Sequence, residues 1–189
     1  MYATRPCSSS RRAACSYRSR DVGSRLVGGP VSPWVGVELG REAWSVGQFA
    51  VPAKAAWYDL TLDQQRGPNS WATTSTGTHT EWHFLSKPTK TRSVLPLVQV
   101  DYKHTDGLLE LEPAYQPGVR GVGVFRTTAE ISYDGTTWQR LSLRGAGGVV
   151  RAQLPAAPVG ASYASIRVTA TDLIGNKISQ TIEKAWAVN

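Results

Sequence analysis

Apolar and polar residues alternate at short intervals through the C-terminal half of the chain, and turn residues separate the alternating segments. Ile166, Val168 and Ala170 alternate with Arg167 and Thr169. A period of two places successive side chains on opposite faces of an extended strand. The pattern therefore predicts a strand whose even-numbered side chains face a core. Comparable short strands are predicted over residues 94–102, 108–111, 119–125, 129–133, 149–154 and 178–186.

Two predicted turns between these strands each begin with an aspartate. Asp134-Gly135 is the dipeptide that a tight hairpin turn prefers, and Trp138 would then lie on the return strand and pack against the core. Asp172 to Asn176 reads as a second turn, because the aspartate can bond backbone N–H groups ahead of it and Gly175 tolerates a left-handed conformation.

The chain shows strand periodicity without a helical period, which predicts an all-β protein. Residues 93–189 match the length of an immunoglobulin-like or fibronectin-like antiparallel β-sandwich. A smaller, incomplete β unit is predicted over 29–92, with Ser86–Thr89 as the linker. Residues 1–28 are rich in Arg, Ser, Ala and Gly, and a disordered basic tail is expected there, whose deletion should leave stability unchanged.

The formal net charge of +7 is concentrated in the tail. Residues 1–28 hold six of the 21 basic side chains and one of the 14 acidic ones, which leaves 15 and 13 for the remaining residues. A body so nearly balanced, without a run of lysines, argues against a nucleic-acid partner. Both cysteines, Cys7 and Cys15, also lie in the tail, so the body offers neither a disulfide framework nor a thiolate metal site.

Membrane and export signals are not recognised in the sequence. No apolar run approaches the roughly 18 residues of a membrane span, and the positive N-terminus is not followed by the apolar core of a signal peptide. We therefore expect no membrane partner and no export signal within this chain.

The clearest candidate for a metal site in the sequence consists of His79, Glu81 and His83. On a strand these three side chains share one face, where they could meet a zinc ion. The alternative is a solvated polar face behind the apolar face of Trp82 and Phe84, and we favour it; no metal site is therefore predicted.

Calcium is a second metal to consider, through the oxygen atoms of Asp172 and Asn176 or through those of Asp101, Asp106 and Glu110. Turn formation already explains the first set. The sequence has no G-x-S-x-G elbow, so no catalytic residue is predicted, and no cofactor is implied.

The seven tryptophans are numerous for a chain of this size, and several lie in its first half. Exposed tryptophans could stack on sugar rings or peptides. Packing in the β-core is the favoured alternative, since a large ring buries much surface. The residues concerned are Trp34, Trp44, Trp57 and Trp71.

Four segments together resemble the C-terminal, non-catalytic region of large secreted subtilisin-like serine peptidases of actinobacteria. They are Thr78–Ser86, Leu95–Tyr102, Ile131–Trp138 and Ser165–Ala185, and the resemblance covers about residues 55–189. These motifs are signatures of strands and turns. The family's activity lies in an upstream domain with an Asp, a His and a Ser in a G-T-S-M-A setting, which this sequence lacks.

The resemblance implies a non-catalytic accessory fragment of an extracellular protease. Its partner would be an intramolecular catalytic domain, which it would support or hold at a substrate or surface. The family also tends to place other polar residues where His79, Glu81 and His83 stand, which favours the polar-face interpretation. The alternative function is a free-standing extracellular or cell-wall module that binds carbohydrate or protein.

Overall fold

The computed structural model describes residues 13–19, 34–37, 47–50, 53–65, 73–91, 93–121, 123, 125–146 and 148–188, with the main chain alone for the first three ranges and for residue 146. These residues form strands joined by turns and contain no helix. In chain order the strands are β1 (Ala13–Ser19), β2 (Trp34–Val37), β3 (Gly47–Ala50), β4 (Ala56–Gln65), β5 (Gly77–Ser86), β6 (Val98–Thr105), β7 (Leu108–Tyr115), β8 (Phe125–Ser132), β9 (Gln139–Arg140), β10 (Arg144–Ala146), β11 (Val149–Gln153), β12 (Tyr163–Asp172) and β13 (Lys177–Ala187).

Two facing antiparallel sheets make a β-sandwich. The large sheet has the order β1-β4-β5-β13-β12-β8-β9, and the facing sheet has the order β10-β11-β7-β6. A separate two-stranded sheet pairs β2 with β3. All strand pairs among the described residues are antiparallel. The all-β sandwich predicted from the alternating pattern is therefore confirmed.

The main core lies between the two sheets. Ile166, Val168 and Ala170 on β12 are fully buried, as the alternation predicted, and they face Leu109 and Leu111 from the opposite sheet in one cluster. On β13, which contains the strand predicted over residues 178–186, Ile178 is buried, whereas Ile182 and Trp186 are only partly buried against the same core.

The strands predicted as a smaller unit join the same large sheet. β5 pairs along β13 from Gly77 to His83, and β4 pairs along β5. A second core cluster lies under these strands, where Tyr58 and Phe84 pack with Leu95 and Leu97. Hydrogen bonds and apolar contacts therefore join the strands before the predicted linker to the strands after it. That residues 93–189 fold as an independent domain stays a prediction.

The loop after β8 differs from the expected tight hairpin. Pairing of β8 with β9 begins at Ile131 opposite Gln139, so seven residues connect the paired positions. Gly135 has a φ of 76°, but Asp134 does not adopt a positive φ. Its carboxylate Oδ1 instead accepts hydrogen bonds from the backbone N–H groups of Thr136 (2.8 Å) and Thr137 (2.6 Å). This side-chain capping stabilises a wider loop than a two-residue turn.

Part of the predicted tail has regular structure. Ala13–Ser19 forms β1, which pairs antiparallel with β4 at the edge of the large sheet. The remainder of 1–28 lies outside the described residues, as do Trp44, Trp71 and the side chain of Trp34. Among the residues that are described, no helix is long and apolar enough to span a membrane.

Candidate functional site

The outer face of β4 and β5 carries a row of acid–histidine pairs. The β-sheet register places Asp59 opposite His83 and Asp63 opposite His79, with Glu81 between the two histidines on β5. His79, Glu81 and His83 therefore share one solvent-facing side of the strand, as their spacing predicted. The register also shows what sequence spacing cannot, namely that each histidine faces a carboxylate of the neighbouring strand.

His79 lies at the more exposed end of this row. Its Nδ1 hydrogen-bonds Asp63 Oδ1, and its Nε2 lies 3.4 Å from Glu81 Oε1. The hydrogen bond with Asp63 raises the pKa of His79 above its ordinary value of 6.5, and burial opposes this with a smaller effect. Both carboxylates favour the imidazolium form, because each stabilises a positive ring.

His83 lies in a more enclosed setting. Its Nδ1 is 2.6 Å from Asp59 Oδ1, and its ring stacks on Trp57 with centroids 4.7 Å apart and planes only 2° from parallel. The far edge of the Trp57 ring lies against Gly175 in the turn between β12 and β13. Trp57 therefore packs against neighbouring groups on the outer face.

The geometry favours paired side chains over a zinc site in this row. Each histidine directs its Nδ1 to a different aspartate, so the two imidazoles do not converge on one point. Within the part of the chain that the structure describes, no group of three or more His, Cys, Asp or Glu side chains is arranged to hold a metal ion.

The turn between β12 and β13 is held by a buried polar network centred on Asp172. Its Oδ1 accepts hydrogen bonds from three successive backbone N–H groups, those of Ile174, Gly175 and Asn176, at 2.7–2.9 Å. Its Oδ2 accepts from the Asn176 amide at 2.9 Å and from the Tyr115 hydroxyl. The predicted turn is present, and its aspartate bonds the backbone ahead as expected.

Asn176 extends this network to a third strand. Its side-chain oxygen accepts a hydrogen bond from the backbone N–H of Leu85 at 2.9 Å, while its amide donates to the Tyr115 hydroxyl at 3.0 Å. The turn is thereby fixed to β5 and to the end of β7. Because both carboxylate oxygens of Asp172 already accept protein hydrogen bonds, the arrangement favours turn formation over calcium binding.

The second group of candidate calcium ligands, Asp101, Asp106 and Glu110, is spread along the hairpin of β6 and β7. Glu110 accepts a hydrogen bond from Arg151 Nε at 2.7 Å, and Asp106 occupies the turn with a φ of 49°. Asp101 lies opposite Glu112, near the middle of the pairing. Their oxygens are therefore not gathered at one position of the hairpin.

Trp138 lies elsewhere than the alternation predicted. The guanidinium of Arg167 lies 4.2 Å from the centroid of the Trp138 ring, and Arg167 also bonds Glu130 at 3.2 Å. Because Arg167 belongs to the outer face of β12, Trp138 covers that face, and the prediction that it packs in the core is wrong. Trp138 and Leu141 are three residues apart, so on a regular strand they would lie on opposite faces. Because Leu141 is the one that is buried, this spacing was the signal in the sequence that Trp138 faces outward.

A polar bridge inside the sandwich was not predicted. The Tyr102 hydroxyl donates to Gln180 Oε1 at 2.9 Å, and Gln180 donates to Thr80 Oγ1 at 2.8 Å. Thr80 is almost fully buried. Burial raises the pKa of Tyr102 well above its ordinary value. The bridge links β6 to β13 and β5, so its role is to fix the two sheets together.

Comparison with known proteins adds no relative: no family model, no curated protein and no solved structure matches this chain.

Proposed function

We propose that this chain is a non-catalytic β-sandwich module of a subtilisin-like extracellular serine peptidase, where it supports or positions the catalytic domain. The observation that carries the proposal is the placement of the four resembling segments. Thr78–Ser86 and Ser165–Ala185 contribute most of the successive neighbours β5, β13 and β12 of one sheet, and Ile131–Trp138 contributes the last two residues of the next strand, β8, and the loop that follows it. Leu95–Tyr102 supplies the first part of β6 and, with Leu95 and Leu97, residues that pack against Phe84 of β5.

The contacts of these segments also fit a supporting role. Asp172, Asn176 and Tyr115 connect the β12–β13 turn to both sheets through side-chain hydrogen bonds. A scaffold fixed in this way can hold an attached domain at a defined angle, because little of its own structure has to be ordered on contact.

The DNA upstream of the coding region provides the first test. We expect an in-register reading frame that encodes G-T-S-M-A, and an intact stop codon with a promoter would instead support a free-standing protein. The encoded catalytic region should then be produced with and without this module. We expect the attached module to lengthen the half-life of activity at elevated temperature.

A fusion that carries Val168→Asp is the matched control for this experiment. It keeps the length of the module but places an unpaired charge in the core. Equal half-lives for the catalytic region alone, the native fusion and the control would contradict a supporting role.

By itself, the chain is expected not to cleave casein or peptide esters. The expectation follows from the missing nucleophile motif and from His79 and His83, which bond carboxylates on the outer face. Turnover that survives rigorous purification and is blocked by a serine-directed inhibitor would contradict it.

A binding module for carbohydrate or protein is the alternative function. It is favoured by one observation, the partly exposed Trp138 ring held against Arg167 on the outer face. Aromatic rings in such positions can stack on sugar rings. Pull-down with insoluble peptidoglycan or chitin, which Trp138→Ala should abolish, would support this alternative over the first.

A further inference from the structure

One end of the sandwich gathers exposed positive charge from segments that are far apart in the sequence. The register brings Ala56 beside Ser86, His83 beside Lys177, and Asp172 beside Phe125. Tyr115 reaches the same end by bonding Asp172. We call this region the basic end; its described residues are 53–58, 84–91, 93–97, 113–121, 123, 125–126 and 172–177.

The charge of the basic end is strongly one-sided. Its described residues include six exposed cationic side chains, and Asp172, its one acidic residue, is buried within the turn network. The exposed cations are Lys54, Lys87, Lys90, Arg120, Arg126 and Lys177. By contrast, the opposite end mixes signs, with Asp106, Glu183 and Lys184 all exposed.

Aliphatic side chains project from the same end. Leu173 is 72% exposed and Ile174 is 63% exposed at the tip of the β12–β13 turn. Leu85 is a further exposed large apolar residue, and its backbone is tied to the turn through Asn176. Exposed aliphatic residues next to each other on a protein surface are characteristic of interaction sites.

The turn presents these side chains in a fixed position. Three backbone N–H groups of the turn bond Asp172 Oδ1, and Asn176 anchors the turn to β5. Little conformational entropy is therefore lost when Leu173 and Ile174 enter another phase.

We propose that the basic end docks on an anionic lipid bilayer, with Leu173 and Ile174 inserted at the headgroup boundary. The cations complement the negative lipid headgroups, and the aliphatic tip finds an apolar phase just below them. Nucleic acid would satisfy the cations but offers no apolar phase for two aliphatic side chains. A second copy of this chain would bring like charges together.

This proposal goes beyond the proposed function and does not depend on it, because its test contains neither a peptidase nor a substrate. It departs from the expectation of no membrane partner, which rested on the lack of an apolar run of about 18 residues, because a peripheral contact needs no such run.

The test is sedimentation of the full chain with vesicles of phosphatidylcholine that contain about 30 mol% phosphatidylglycerol, compared with vesicles of phosphatidylcholine alone. We expect binding to the anionic vesicles only, weakened by raising the salt from about 0.1 M to about 0.5 M. The double substitution Lys87→Gln/Lys177→Gln should lower the partition coefficient roughly tenfold or more. Lys103→Gln/Arg140→Gln, at exposed cations outside the basic end, is the charge-matched control and should change binding much less.

Insertion is tested separately from charge. Leu173→Ser/Ile174→Ser should lower the partition coefficient by about tenfold or more, whereas Val159→Ser, at an exposed valine of the opposite end, should leave it unchanged. Thermal unfolding of each variant verifies that it folds.

Three outcomes would overturn the proposal. They are the absence of binding to anionic vesicles, binding that the tip substitutions do not alter, and retention on duplex DNA of equal phosphate concentration without retention on vesicles.

Discussion

The inner and outer faces of the large sheet are built from the same strands but stabilised by different interactions. On β12, Ile166 and Val168 are completely buried on the inner face. Between them, Arg167 points outward, where it bonds Glu130 and lies over Trp138. The inner face excludes water over a continuous apolar cluster, whereas the outer face consists of pairs that remain partly exposed.

This difference determines how strongly each face depends on any single residue. An apolar core loses packing and gains an unpaired group when one side chain becomes charged. On the outer face, water and neighbouring side chains can replace a lost partner, and ion pairs there contribute about 0–1 kcal/mol each. Substitutions of the same type on the two faces should therefore have very different effects.

The largest difference is expected for aspartate at two neighbouring positions of β12. Val168→Asp buries an unpaired charge between the sheets and should unfold the chain, since its cost approaches the whole stability of an ordinary domain. Thr169→Asp makes a matched change on the partly exposed outer face and should cost about 1 kcal/mol or less. Circular dichroism and urea unfolding distinguish them, and equal loss of structure would mean that the two faces are wrongly assigned.

The inner face could be predicted from the sequence because one rule governs it. A period of two residues fixes which side chains share a face, and a slip of one residue would bury Arg167, so the register of β12 is strongly specified. The turn at Asp172 was predictable for a similar reason, since its hydrogen bonds to residues 174–176 are local.

A second comparison uses tryptophans on the two faces. Trp82 packs on both core clusters and donates its indole N–H to the Val98 carbonyl at 2.8 Å, so Trp82→Ala should cost about 3–5 kcal/mol. Trp138→Ala removes a ring that lies against a partly exposed Arg167, and its cost should be about 1 kcal/mol.

Urea midpoints of the two variants measure this difference directly. A larger loss for Trp138→Ala than for Trp82→Ala would show that Trp138 belongs to the core after all, as the alternation alone predicted.

The outer face could not be predicted because its contacts join residues from separate strands. His83 and Asp59 are 24 residues apart, and only the pairing of β4 with β5 brings them together. The basic end is a stronger example. Counting charges along the chain gave a nearly balanced body, whereas the fold collects Lys54, Arg126 and Lys177 at one end. Sequence composition records how much charge is present, but the topology decides where it lies.

A third comparison concerns the end of β12. Asp172→Ala removes the acceptor for three backbone N–H groups and leaves Tyr115 and Asn176 without their shared partner, at an expected cost of about 2–4 kcal/mol. Thr171→Ala, one position earlier and on the outer face, should cost less than about 0.5 kcal/mol. Thermal and urea unfolding give both values. A cost for Asp172→Ala as small as that for Thr171→Ala would show that the network adds little to stability.

The smallest effect is expected from protonation of His79 on the outer face. Its hydrogen bond to Asp63 raises its pKa above the ordinary value of 6.5, so the folded chain binds this proton more tightly than the unfolded chain does. A raised pKa stabilises fully below the unfolded value, and the stabilisation is lost as the pH rises through the folded pKa. The His79 side chain is 46% exposed, so solvent screening keeps the contribution small.

His79→Gln retains a donor for Asp63 without a titrating group. Urea midpoints compared between about pH 5.5 and about pH 8 should therefore fall more in the native chain than in His79→Gln. Identical pH profiles for the native chain and His79→Gln would mean that the Asp63 pair does not contribute to stability.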